Sequence, residues 1–250
     1  MAVKKATASF NVTLEELLEA GCHFGHEVKR WNPKMAPYIY TEREGVHVFD
    51  LAKTREGIIE AYKAIVDTVA TGGTVLFVGT KRQAKDLVKD AALKVGMPYV
   101  TVRWLGGVLT NFEQMRRSIK KLGQMKAERE EGKFKDRTKL ERLLIDREIA
   151  NLERLFGGIA TLSKLPDMLF IVGTHEEGTA VREAVRMGVP ICGIVDTNSD
   201  PTIIDYPIPA NDDAVKSISL IVDVIAKAVE EGKEKANKVS NVNKANEKQD

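Results

Sequence analysis

A chain of 250 residues with 43% hydrophobic content is long enough for one large domain, or one domain plus an insertion, and apolar enough for a real core. Its 30% charge is above the usual quarter, and its two distant cysteines, Cys22 and Cys192, give no disulfide framework, which fits a reducing compartment. No run of 18 apolar residues occurs and the N-terminal stretch has no signal-peptide core, so a soluble, cytoplasmic protein without membrane contact is expected.

The net charge of +2 is unevenly spread. Residues 113–154 hold thirteen Lys and Arg against nine Asp and Glu, a net +4, which leaves −2 for everything else. A nucleic-acid partner explains a basic excess confined to one segment, although charged helices are usually just solvated.

The first informative stretch is "GCHFGHEVKRWNPKMAPYIY", residues 21–40, with Cys22, His23 and His26 in five positions. Structural zinc sites take four ligands in paired spacings, and nothing pairs with this cluster, so ordinary packing at a helix end explains it better than a zinc finger. "GVHVFDL" then reads as a strand and "KTREGIIEAYKAIVDTVATGG" as a helix closed by glycines. "TVLFVGT", "MPYVTV", "DMLFIVGT" and "VPICGIVDT" are further strands, with helices "KRQAKDLVKDAALKVG", "HEEGTAVREAVRMG" and "ANDDAVKSISLIVDVIAKAVEEG" between and after them. Continuous apolar strands separated by amphipathic helices mean parallel βαβ units. An α/β fold is expected, a doubly wound, mostly parallel sheet of flavodoxin or Rossmann type. Two of its units share a plan in which Thr80 and Thr174 are placed to cap helices and Gly96 and Gly188 to end them.

Between the units, apolar residues from Leu109 to Phe156 keep helical spacing around a polar turn containing Gly132. This predicts an inserted antiparallel helical hairpin, coiled-coil-like, over residues 108–159. The α/β domain is then split into 1–107, with an N-terminal extension, and 160–231. Residues 232–250 lack the apolar content to order themselves and are expected to be disordered.

A doubly wound sheet invites a nucleotide- or sugar-phosphate-binding enzyme, because such folds bind ligands at the carboxyl ends of their strands. The turn "GTKRQA" has neither a dinucleotide fingerprint nor a P-loop, and in "GTHEEG" two glutamates would repel a phosphate. The scaffold of an enzyme is present without its chemistry, and fold alone licenses no function.

Four segments, "HFGHEVKRWNPKMAPYIY", "FVGTKRQA", "RWLGGVLTNF" and "GIVDTNSDPTIIDYPIPANDDA", together resemble the family of the second protein of the small ribosomal subunit, in its bacterial form. The likeness runs from about Val12 to Glu230 with the segments in order. It implies a structural, non-enzymatic role: binding small-subunit ribosomal RNA near the head–body junction, late assembly, contact with neighbouring ribosomal proteins, and docking of the large first protein of the subunit. No required cofactor and no small-molecule substrate are implied. The residues suited to RNA are Lys29, Arg30 and Lys34 around Trp31, Lys81 and Arg82 in the turn after a strand, Arg103, and Arg116, Arg117, Lys120 and Lys121 on the hairpin. Trp104 reads as packing in the joint between sheet and hairpin, with Gly106 and Gly107 making the exit. One structural divalent ion, zinc or magnesium, is conceivable if His23 folds over Asp196 and Asp205 at the carboxyl edge of the sheet.

Overall fold

Four of the apolar runs pair side by side in a computed structural model, which describes residues 12–246. β4 (Val75–Val78), β5 (Tyr99–Val100), β6 (Met168–Val172) and β7 (Ile191–Val195) lie in one sheet with β8 (Tyr206–Pro209). The order is β5-β4-β6-β7-β8 and every pairing is parallel. Strands buried on both faces carry no alternation in sequence, because each residue meets one of two cores. Val75, Phe77, Phe170 and Ile194 point into the first, against α2 (Leu51–Ala70), α3 (Lys85–Lys94) and α7 (Val215–Asn246). Leu76, Val78, Leu169 and Ile171 point into the second, against α6 (Gly178–Met187), Trp104 and the base of the hairpin. The doubly wound expectation holds. α2 lies so close to β8 that a Cβ on Gly57 would meet the Pro207 carbonyl oxygen at 2.5 Å.

β8 is a strand that the sequence reading did not assign; Pro207 and Pro209 interrupt it, and an edge strand tolerates prolines. "GVHVFDL" does form a strand, β3 (Val46–Phe49), but in a separate antiparallel sheet. There it pairs with β1 (Phe24–Glu27) and β2 (Ile39–Arg43), the latter through a two-residue turn in which Glu44 and Gly45 both have positive φ, 54° and 78°. Ahead of β1, α1 (Leu14–Glu19) begins with a capping box between Thr13 and Glu16.

The insertion holds α4 (Phe112–Glu130) and α5 (Lys139–Phe156), the second opened by a Thr138–Glu141 capping box. Ion pairs cross between them, Lys121–Glu148 and Lys126–Glu153 at 2.5 Å each and Arg129–Asp146 at 3.1 Å. Leu122, Ile149 and Phe156 are buried along the seam.

The disordered tail needs correction for most of its length: α7 continues unbroken to Asn246. A Cβ on Gly232 would meet Val69 Cβ at 2.7 Å, so the helix is still packed on α2 where the composition turns polar. Residues 1–11 of the expected extension and the last four of the expected tail lie outside the described residues.

Candidate functional site

In a sheet of this strand order, a ligand crevice opens between β4 and β6, where the chain reverses its direction of winding. The carboxyl ends of those strands carry Gly79-Thr80-Lys81 and Gly173-Thr174-His175-Glu176-Glu177. The chain's own side chains fill the gap. Thr80 donates to Glu177 Oε1 from its N–H at 3.1 Å and from its hydroxyl at 2.5 Å. Lys81 Nζ lies 2.6 Å from Asp212, 3.0 Å from Asp213 and 3.4 Å from Glu176. Neither threonine caps a helix: α3 and α6 start further on, and the Thr174 hydroxyl donates to the Ile194 carbonyl. Gly96 and Gly188 do take the left-handed conformation that ends a helix, with φ of 58° and 68°.

This network corrects the role expected of Lys81. Its side chain is only 9% exposed and its ammonium pairs with three carboxylates, so it has nothing left for a phosphate. Burial opposes its charge, but Asp212, Asp213 and Glu176 more than offset this and raise its pKa. Burial also raises the pKa of Asp212, to about 7, with the nearby charge of Asp196 adding to the effect and Lys81 opposing it.

The N-terminal segment folds over this edge. Asn32 N–H donates to the Thr197 carbonyl at 2.7 Å, His26 N–H to the Thr197 hydroxyl at 2.9 Å, and Lys34 pairs with Asp200 at 2.5 Å. The imidazole that reaches Asp196 is that of His26, Nδ1 to Oδ1 2.9 Å, and the hydrogen bond to Asp196 raises the His26 pKa. His23, expected there, instead sets its ring against Phe24 at 4.0 Å, and burial lowers its pKa. Asp205 is likewise used elsewhere, accepting from Ile191 N–H at 2.8 Å. Among the described residues, the three groups able to hold a cation together are His26, Asp196 and Asp212, whose ligand atoms all lie within 4.8 Å of one another. Asp212 Oδ2 is buried there with no hydrogen-bond partner, which fits a missing electrostatic partner, while Lys81 beside it opposes a second positive charge. A sequence signal for Asp212 existed, in a paired "DD" just before a helix, but nothing in the sequence tied it to His26.

The remaining basic candidates divide by their partners. Lys29, Arg30, Arg82, Arg103, Arg117 and Lys120 are exposed and, among the described residues, in no ion pair. Arg82 and Arg103 follow the carboxyl ends of the adjacent strands β4 and β5, and Lys29 and Arg30 form a turn of the segment docked at the same edge. Arg116 leans on Glu113 at 3.4 Å, and Lys121 is committed to Glu148. Trp31 is half-buried, its ring 5.0 Å from that of buried His47.

The loop "RWLGGVLT" is organised by a residue the sequence reading did not single out. Buried Glu183 on α6 accepts from Trp104 Nε1 (3.2 Å), from the N–H groups of Gly107 (2.7 Å), Leu109 (3.1 Å) and Thr110 (3.1 Å), and from the Thr110 hydroxyl (3.0 Å). Its burial disfavours the charge, but these donors outweigh that and lower its pKa. The signal was a carboxylate on the apolar stripe of α6, beside Ala180, Val181 and Ala184. Trp104 therefore packs in the joint, as expected, and Gly107 makes the exit with φ 95°.

Comparison with known proteins agrees with the residue-level resemblance. A chain called small ribosomal subunit protein uS2 from Roseiflexus sp. (strain RS-1) is 52% identical over 221 residues, covering 88% of this chain and 84% of its own. Proteins of the same name from Coprothermobacter proteolyticus and Nocardia farcinica are 49% and 48% identical, over 89% and 88% of this chain and 83% and 78% of theirs. The family described as ribosomal protein S2 matches residues 17–232, and the chain belongs to that family.

Proposed function

We propose that the chain is a structural, non-enzymatic component of the small ribosomal subunit in the cytoplasm, binding small-subunit ribosomal RNA near the head–body junction. It joins late in assembly, touches neighbouring small-subunit proteins, and supports docking of the large first protein. One observation carries the RNA part: six cations, Lys29, Arg30, Arg82, Arg103, Arg117 and Lys120, stand exposed and, among the described residues, without an ion pair, on the carboxyl edge of the sheet and on the hairpin. Phosphate contacts of this kind position a protein on RNA, and a half-buried aromatic such as Trp31 can add stacking. The enzyme alternative loses its site, since the crevice where a nucleotide would sit holds Lys81 and its carboxylates. The test is the salt dependence of binding to naked small-subunit ribosomal RNA. Each phosphate contact contributes about 0.7 to 0.9 to the log–log slope, so the slope should be around 4 to 5. A slope near zero, or tight binding of a mononucleotide, sinks this reading.

A structural divalent ion at His26, Asp196 and Asp212 is the second part of the proposal. One imidazole and two carboxylates suit zinc, or magnesium through the oxygens alone. These ligands come from the N-terminal segment, the loop after β7 and the loop between β8 and α7, so an ion would tie three separate pieces of chain together.

A further inference from the structure

α5 has two apolar faces, and the domain uses one. Ile145, Ile149, Leu152 and Phe156 pack on the second core and α4. Leu140, Leu143 and Leu144 are 66%, 46% and 53% exposed. At about 100° per residue they lie on the side of the helix opposite Ile149. Along the same outward stripe follow Arg147, Asn151 and Arg154, all exposed. Arg154 donates to Asn151 Oδ1 at 3.1 Å, and neither arginine has an ion pair among the described residues. The acids of α5 are all turned aside. Glu148, Glu153 and Asp146 pair across the hairpin with Lys121, Lys126 and Arg129, and Glu141 closes its own capping box. The outward stripe is three leucines, then two arginines, with no carboxylate.

We propose that this stripe docks an acidic amphipathic helix of a neighbouring protein. The partner's apolar residues cover Leu140, Leu143 and Leu144, and its carboxylates meet Arg147 and Arg154. Exposed large apolar side chains grouped on one helix face mark a protein contact. RNA is a poorer occupant, because its phosphates would use the arginines and leave the leucines in water. A second copy of this chain is poorer still, because its own stripe offers no carboxylate to the arginines. From Leu140 to Arg154 the stripe spans roughly 21 Å at 1.5 Å per residue, a match for a partner helix of about four turns. α4 turns a different surface outward, with Arg117 and Lys120, so the hairpin presents RNA-type and protein-type faces on different helices.

The proposal rests on membership of the subunit, which sedimentation checks separately. The photo-cross-linker p-benzoylphenylalanine is placed at Leu143 or, in a second variant, at Leu140, and at Lys120 as a control, in full-length protein. Small subunits containing each variant are purified, their content of the protein is verified, and they are irradiated. The expected product from both stripe positions is a nuclease-resistant, protease-sensitive adduct to a peptide with apolar residues at helical spacing and Asp or Glu beside them. Lys120 should not give it, and Arg147→Glu with Arg154→Glu should cut its yield at least fivefold. An adduct to RNA or to a second copy overturns the proposal. So do a peptide without acids, a yield untouched by charge reversal, and no adduct in subunits that hold the protein.

Discussion

Trp104 and Glu183 meet across the root of the hairpin, indole Nε1 to carboxylate Oε1 at 3.2 Å, with both residues buried. Four further donors from residues 107–110 close on the same carboxylate, so one side chain of α6 fixes the path by which the chain leaves the sheet for α4. Bonds to a buried charge of this kind contribute about 1.5–3 kcal/mol, and a donor left unpaired costs about 1–3.

Glu183→Gln keeps the shape, removes the charge and sets an NH2 group against N–H donors. Denaturant unfolding should show a loss of about 2–4 kcal/mol, the range for a broken buried network. In a Trp31→Phe background the Trp104 fluorescence should shift toward that of a solvated indole before the domain unfolds. A stability change below about 0.5 kcal/mol, typical of surface positions, would show that the carboxylate does not hold the joint.

The same residue sets an acid limit. Its folded pKa lies below the ordinary 4.5, so the stability it gives is present above 4.5 and drains away as pH falls through the lower, folded value. Wild-type protein should therefore lose stability below about pH 4.5 more steeply than Glu183→Gln, which has no such proton to take up. Parallel pH profiles for the two would assign the acid sensitivity to other carboxylates.

The strands and helices of the main sheet were legible because their burial repeats locally: Leu76 to Val78 and Leu169 to Val172 are apolar whichever face they serve. β8 was not, since Pro207 and Pro209 suit an edge only once the edge is known. The same holds for charges. The basic excess of the hairpin could be counted, but that Lys121 is spent on Glu148 while Lys120 is not depends on which helix face meets which. Lys81 looked like a phosphate ligand because residues 212 and 213 are remote in sequence, and His26 could not be preferred to His23 before the segment's path over Thr197 was fixed. Long-range electrostatic pairing leaves no periodic trace.

Lys81 and Arg82 are neighbours with opposite assignments, and alanine separates them. Lys81→Ala strands Asp212 and its neighbours without their counter-charge, so it should cost about 3–5 kcal/mol of stability, as for a broken buried pair. RNA affinity of the folded fraction should stay the same. Arg82→Ala should leave the melting temperature unchanged, weaken RNA binding by roughly 1.5–3 kcal/mol and lower the salt slope by about one contact. The reverse pattern, with Arg82 structural and Lys81 binding RNA, would mean that the ion pairs open on the ribosome.

The ion site is tested through the histidines, because the two were so nearly interchangeable in sequence. Extensively dialysed wild-type protein should retain about one zinc per chain, as a three-ligand protein site can. His26→Ala and Asp212→Asn should lose it, while His23→Ala and Asp205→Asn should keep it, since neither of those side chains belongs to the cluster. Chelator should lower the melting temperature of wild type and leave His26→Ala unmoved, because an ion bound only by the folded state stabilises that state. The sign with pH follows from the ligand. Zinc needs the neutral imidazole, and the hydrogen bond to Asp196 favours the protonated one, so retention should fall as pH drops through the raised His26 value. Equal metal in wild type and His26→Ala, or none in either, would leave the segment held to the loop after β7 by the Nδ1–Oδ1 bond and the contacts of Asn32, Lys34 and the His26 N–H, and the proposed ion would go.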